Sequence, residues 1–256
     1  MTILCYHAID PTWDSPLAVP PASFAQHVEW LRRHRSVLPL EQAVRFLDRS
    51  ARLPARMAVL TFDDGFASIY DHALPVLAPH RTPATVFVVA ETLTPDGRLV
   101  DWVDRPPPHP VLTLTMEQVK EMREAGIRFG SHSYSHGDLT TLSDQEIETD
   151  LRRSREVLED VLAEPVPFVA YPKGRHDERV RRAALRAGFR HGFTERTDRA
   201  EPVGPLAVPR VGVYPGNGVA ALRVKTTRWY LTFRAGPLFP VVRGVVRTER
   251  RGHSDG

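Results

Sequence analysis

Strand-like and helix-like signals alternate along almost the whole of this chain, and that alternation limits its fold more than any single motif does. Ile3-Leu4-Cys5-Tyr6-His7 reads as a first strand. The run Met57 to Leu60, Pro83 to Ala90, Ile127 to Ser131, Val166 to Ala170, Phe189 to Phe193 and Leu206 to Val213 read as further strands, most of them short apolar runs with β-branched or aromatic residues. Helix-period stretches separate them. Pro21 opens one that runs to about His34, with Phe24, Val28 and Leu31 on one face, and Pro39 opens a second. Phe66 to Leu77, Thr115 to about Ala125, Leu142 to about Leu162 and Asp177 to Ala187 supply the rest, with a capping-box pattern from Ser143 to Glu146. Alternation of this kind predicts a parallel sheet with helices outside it. A chain of 256 residues with 42% hydrophobic and 25% charged content can bury one sizeable core as a single domain. The single cysteine, Cys5, excludes an internal disulfide and reads as a small core residue.

Polar residues gather where these strands stop. Asp63 and Asp64 sit at the end of the run that starts with Met57 to Leu60, and Gly65 follows them at once. Side chains alternate along a strand, so the two carboxylates start toward opposite sides, and a bend at Gly65 can bring both to one rim. Adjacent carboxylates resist ionising together unless a cation lies beside them; the alternative is a solvated turn. Ser131-His132-Ser133-Tyr134-Ser135-His136 ends a later strand with two histidines four positions apart. Both imidazoles face one point if the chain coils there as a helical turn. Two histidines and Asp64 make a three-ligand set for zinc or a similar divalent ion, leaving positions open for water and substrate. His7 and Tyr171 also sit at strand ends, where parallel barrels gather their chemistry. The long stretch from Glu91 to Thr113 reads either as a groove wall, with Asp101, Trp102 and His109 to line it, or as a disordered insertion.

Thr61-Phe62-Asp63-Asp64-Gly65 and His132-Ser133-Tyr134-Ser135-His136 resemble, in order and separation, the first two motifs of the polysaccharide deacetylases, the NodB-homology group of carbohydrate esterases. Phe168-Val169-Ala170-Tyr171-Pro172-Lys173-Gly174 echoes a third motif. Ile3-Leu4-Cys5-Tyr6-His7-Ala8-Ile9 resembles the amino-terminal Tyr-His signature of one branch, which includes bacterial poly-N-acetylglucosamine deacetylases. The resemblance implies an irregular (β/α)7-type barrel with parallel strands and outer helices. It implies a metal-dependent hydrolase that removes N-acetyl groups from an amino-sugar polysaccharide, oligosaccharide or glycan precursor. One divalent metal ion is implied, zinc before cobalt or nickel, on Asp64, His132 and His136, with Asp63 as general base. Tyr171 and Pro172 are implied to meet substrate, and a backbone amide after Tyr171 to complete the oxyanion site.

The chain also departs from the family's pattern. It has no late Leu-x-His motif: Pro209-Arg210-Val211 stands there, and the Asp-Trp motif that often follows the third motif is missing with its usual Arg. In the Tyr-His branch the early histidine takes the acid's place, which nominates His7; the alternative is a hydrogen-bonded strand-end residue. Arg210 is expected to orient a site group or touch substrate, and Trp102 to line the substrate groove. Two other functions stay open: a hydrolase of the same fold on a non-sugar amide or O-acetyl ester such as acetylxylan, and a carbohydrate-binding relative without turnover.

The deacetylase domain is expected over 1–218, with a basic, aromatic extension over 219–256, partly packed and partly disordered. That extension could pack on the barrel as far as Phe233 or associate weakly with an anionic membrane surface. A formal charge of +3 is slight, and no nucleic-acid recognition fold accompanies it, so no nucleic acid and no obligate protein partner are expected. Without a secretory signal in the sequence, the expectation is a cytoplasmic protein acting on an acetylated glycan.

Overall fold

The computed structural model describes residues 2–49, 56–107, 109–195, 203–227 and 229–234. Every strand pair in its main sheet is parallel. The sheet runs in the order Val208–Pro209, His191–Thr194, Phe168–Ala170, Arg128–Ser131, Thr85–Val88, Met57–Phe62, Thr2–Tyr6, Val211–Gly212. Its first and last members are two pieces of one segment interrupted at Arg210. The first piece pairs with His191–Thr194 and the second with Thr2–Tyr6, so one segment joins both edges of the sheet. Among the described residues this gives seven strand positions around a nearly closed barrel, with Ser36–Val37 pairing beside Met57–Phe62.

The strands are apolar on both faces because both are buried. Ile3, Val59, Phe87, Phe168, Ala170, Phe193 and Val208 form one cluster, to which Leu40, Ala43 and Val44 of the helix Leu40–Arg49 belong. Leu4, Tyr6, Leu60, Phe62 and Val86 belong to the larger cluster shared with the outer helices. Full burial of each such side chain is worth about 1.5–3 kcal/mol, so alternate strand positions serve two separate cores. Tyr6, Phe24 and Phe62 meet edge-on or tilted, with centroids 5.4 to 5.7 Å apart, which ties the helix Pro21–His34 to two strands.

Three elements differ from expectation. The stretch after Gly65 is a wide π-type turn at Ile69–Ala73 that passes into Leu74–Leu77, rather than one regular helix. The expected strand Leu206 to Val213 is broken at Arg210, whose side chain turns to a partner in another strand. The histidine segment is not helical: Ser133 and His136 have positive φ of 66° and 60°. The long segment after Glu91 is pinned rather than loose. Leu99 bridges Leu112, Phe66 bridges Thr113, and the Trp13 indole donates to the Arg105 carbonyl at 2.7 Å.

The helix Val219–Lys225 packs back on the barrel, with Leu222 buried, Arg35 donating to Thr226 and Lys225 donating to the Gly212 carbonyl at 2.6 Å. The basic extension from 235 onward, and Arg228 within it, lie outside the described residues. No helix among the described residues is long and apolar enough to cross a membrane.

Candidate active site

The first residue past each of five strands is His7, Asp63, His132, Tyr171 or Glu195. Parallel strands place these positions on one rim. Asp63 extends Met57–Phe62, and its amide donates to the Tyr6 carbonyl at 2.9 Å. Asp64 then takes φ of +68° and Gly65 +66°. A Cβ on Gly65 would stand 2.8 Å from Val88, so only glycine lets the chain turn this close to the next strand. The left-handed turn thus begins at Asp64 itself, a sparsely populated conformation of the kind found at functional sites.

His132 extends Arg128–Ser131, and its Nδ1–H donates to the Ala170 carbonyl at 2.8 Å. That bond leaves Nε2 facing Asp64, where it donates to the carboxylate when protonated and offers a lone pair when the ring is neutral. His136 is brought round by a turn tied at several points. Its amide donates to Ser133 Oγ, the Ser133 amide donates to Ser131 Oγ, and Asp150 accepts from the amides of Tyr134 and Ser135. Nε2 of His136 lies 3.0 Å and Nε2 of His132 3.4 Å from Asp64 Oδ1, with all three residues buried.

This set fits a metal ion. Donor bonds of about 2.0–2.2 Å at a tetrahedral angle separate two ligand atoms by roughly 3.3 Å, near the two distances found. The three ligand atoms lie within 4.8 Å of one another. Buried Nδ1 of His136 has no hydrogen-bond partner, so its ring is held by packing, with the Trp102 ring at 4.9 Å.

Asp63 belongs to a different arrangement. Arg210, fully buried, donates from Nη1 to Oδ1 at 2.7 Å and from Nη2 to Oδ2 at 2.6 Å, while Nη1 also reaches Thr61 Oγ1 at 3.2 Å. The Cys5 thiol donates to Oδ2 at 3.3 Å. Burial pushes the Asp63 carboxyl up, but Arg210 and then His132 outweigh it, leaving it below the ordinary carboxylate range. Asp64 is likewise raised by burial and lowered more by hydrogen bonds to both histidines. His132 faces both carboxylates, which overcome its burial and raise its pKa. His136 faces Asp64 alone and feels Lys173 and His132, so burial keeps its pKa low.

Asp63, Asp64, His132 and His136 line a cleft of about 800 Å³ together with His7, Trp102, Lys173, Glu195 and Tyr214. His7 lines it with a buried Nδ1 that has no hydrogen-bond partner. Trp102 does so with its ring on His136. Arg210, Tyr171 and Pro172 are buried and are not among the residues that line the cleft; for Arg210 the bonds to Asp63 match the orienting role rather than contact with substrate. Arg210 is held on Asp63. Tyr171 instead points its hydroxyl to the Leu206 carbonyl at 3.0 Å, close over Gly192. Its amide donates to Phe193, and Pro172 has none, so the first N–H past Tyr171 that can face a substrate is that of Lys173. His109 lies near Asp10, 3.4 Å away, in a separate surface hollow, and Asp101 is exposed away from the cleft.

Sequence reasoning passed over Glu195, Tyr214 and Lys173. Glu195 had a usable signal, as the first residue past the strand His191–Thr194. Its Oε2 accepts from the Tyr214 hydroxyl at 2.8 Å, and its Oε1 is buried without a partner.

The comparisons with known proteins point the same way. A family model for polysaccharide deacetylases matches residues 50–192. The Bacillus subtilis protein YxkH is 28% identical over 224 residues, 86% of this chain and 74% of that protein. The poly-beta-1,6-N-acetyl-D-glucosamine N-deacetylase of Staphylococcus aureus is 22% identical over 186 residues, 69% of this chain and 61% of that enzyme, so the chain spans under two thirds of its length. Among solved structures, the deacetylase PplD of Streptococcus pyogenes, in complex with acetate, superposes with a TM-score of 0.75 at 28% identity, over 88% of this chain and 97% of that one. IcaB from Ammonifex degensii gives 0.73 at 26%, over 88% and 96%.

Proposed function

This chain belongs to the polysaccharide deacetylase family, and from that premise we propose that it is a metal-dependent hydrolase releasing acetate from N-acetylated amino sugars of a polysaccharide, oligosaccharide or glycan precursor. One observation carries the reading. Two adjacent carboxylates at the cleft floor are sorted into different partnerships, Asp64 with two histidines and Asp63 with an arginine. A binding module has no use for that division, whereas amide hydrolysis needs both a cation seat and a separate base.

Asp64, His132 and His136 would hold one divalent cation, with zinc best matched by the donors, which when bound supplies Lewis acidity for the acetyl carbonyl and for the attacking water. Asp63 takes the water's proton. Its carboxylate is ionised at neutral pH because Arg210 outweighs its burial, and the two Arg210 bonds hold its oxygens in place. His7, which lines the same cleft, returns a proton to the leaving nitrogen. The Lys173 amide is the chain's donor toward the carbonyl oxygen as charge develops there. Trp102 offers an aromatic wall beside the reacting group for a sugar ring. The name of the staphylococcal relative and the acetate bound to the streptococcal structure both support acetyl removal from an amino-sugar glycan.

The test is acetate release from chitooligosaccharide, a β-1,6-linked N-acetylglucosamine oligomer and acetylxylan, before and after chelation. Release from an N-acetyl substrate that stops on chelation and returns with zinc is expected. Turnover of acetylxylan alone, or release that survives chelation, would reject the proposal.

A further inference from the structure

A second set of metal-type donors, distinct from the first, joins two residues that line the same cleft, His7 and Glu195, to the buried Cys5. Cys5 Sγ, a ring nitrogen of His7 and a carboxylate oxygen of Glu195 all lie within 4.8 Å of one another. These residues come from different strands: Cys5 from Thr2–Tyr6, His7 just past it, and Glu195 just past His191–Thr194. In period-two order Cys5 and His7 share a face of the first strand. Strand geometry, not a flexible loop, therefore sets the spacing of two of the three donors.

Each donor is short of partners in a way a cation would complete. His7 Nδ1 and Glu195 Oε1 are both buried and neither has a hydrogen-bond partner. Buried polar atoms of this kind are uncommon, and two that belong to one three-donor group point to something bound between them. The Cys5 thiol has only a weak donor bond to Asp63 Oδ2 at 3.3 Å and one to its neighbour's carbonyl. The other Glu195 oxygen is fixed by Tyr214, so the free oxygen keeps its direction.

We propose that Cys5, His7 and Glu195 form a second cation site, selective for thiophilic divalent ions such as zinc, cadmium and cobalt. The first set offers only nitrogen and oxygen. The second adds sulfur, which favours softer ions over manganese or magnesium. Binding replaces the thiol proton with a sulfur–metal bond and releases that proton to the buffer, with no change of oxidation state. A cation there withdraws His7 from proton transfer and takes away the thiol's bond to Asp63. Occupancy of the second site therefore inhibits. Only this last consequence rests on the proposed function; the site itself does not.

Cobalt titration of the metal-free full chain tests the proposal. Two equivalents are expected, with a thiolate-to-cobalt charge-transfer band in the near ultraviolet that grows with the second. Cys5→Ala is expected to keep the first equivalent and lose both the second and the band. Glu195→Gln is expected to weaken the second at least tenfold, and Asp64→Ala to show the band from its first equivalent. Manganese is expected to bind once. In wild type, a single equivalent without the band overturns the proposal, whether or not any variant folds. So does a band that persists in Cys5→Ala. If Asp64→Ala instead leaves both equivalents in place, the reading of the first site fails while the second stands.

Discussion

The two halves of the cleft floor hold their carboxylates by opposite means. Asp64 sits in a left-handed turn and meets histidines that the strand Arg128–Ser131, two positions along the sheet, and its exit turn deliver, so backbone geometry does most of the positioning. Asp63 sits at an ordinary strand end and is fixed by one side chain, Arg210, from 147 positions away. On the proposed function the first half shares its carboxylate with a cation from outside the chain; the second carries its own cation, Arg210. Two adjacent acids thereby escape the repulsion that would otherwise keep one of them protonated.

Removing the shared carboxylate breaks the comparison most severely. Asp64→Ala is expected to lose one equivalent of bound metal and to bring acetate release down to background; elemental analysis showing metal still bound at wild-type stoichiometry would contradict it. Arg210→Met strikes the other half. Removing one partner of a buried pair costs about 3–5 kcal/mol, read by denaturant unfolding of the metal-free protein near pH 7. The sign against pH follows from Asp63. In wild type its folded pKa lies below its unfolded one, so the pair stabilises at neutral pH and loses that stabilisation as pH falls through the carboxylate range. In the variant the largest opposing charge is gone and mainly His132 is left against burial, so the Asp63 carboxyl rises and less stabilisation is lost on acidification. The gap between the two proteins should therefore narrow from pH 7 toward pH 4, and a gap that widens would contradict the assignment.

His7→Gln is expected to slow turnover by roughly 100-fold with metal retained, as loss of an acid catalyst does. An unchanged rate would move the proton donor elsewhere. The smallest effect belongs to Trp102→Ala. It should raise KM about tenfold or less, in keeping with one aromatic contact, and leave kcat near wild type.

The contrast between the halves also explains what could be read from the sequence. Asp63-Asp64-Gly65 and the His132–His136 pair were legible because strand, turn and donors lie within a few positions of one another. The parallel order of the sheet was legible from the alternation of apolar runs. Their convergence through a helical turn was not, because the Ser131, Ser133 and Asp150 bonds that shape a different turn depend on the helix Asp144–Leu162. The place of Arg210 was hidden for a related reason. A buried arginine that splits a strand looks like a strand residue until its partner is known. Tyr171 carried the right motif, yet the absence of a side chain at Gly192 lets its ring lie inside the wall. Glu195 obeyed the strand-end rule that picked out His7, but it stands outside the motifs that marked the other site residues.

The central claim is that Asp63 moves a proton while Asp64 holds the cation. It is tested most directly by measuring metal content and single-turnover acetate release together in Asp63→Asn. The expected result is zinc bound at the wild-type stoichiometry with turnover reduced roughly 10²–10⁴-fold. Zinc lost along with activity, or a near-normal rate with zinc bound, would show that the two carboxylates are not divided in this way.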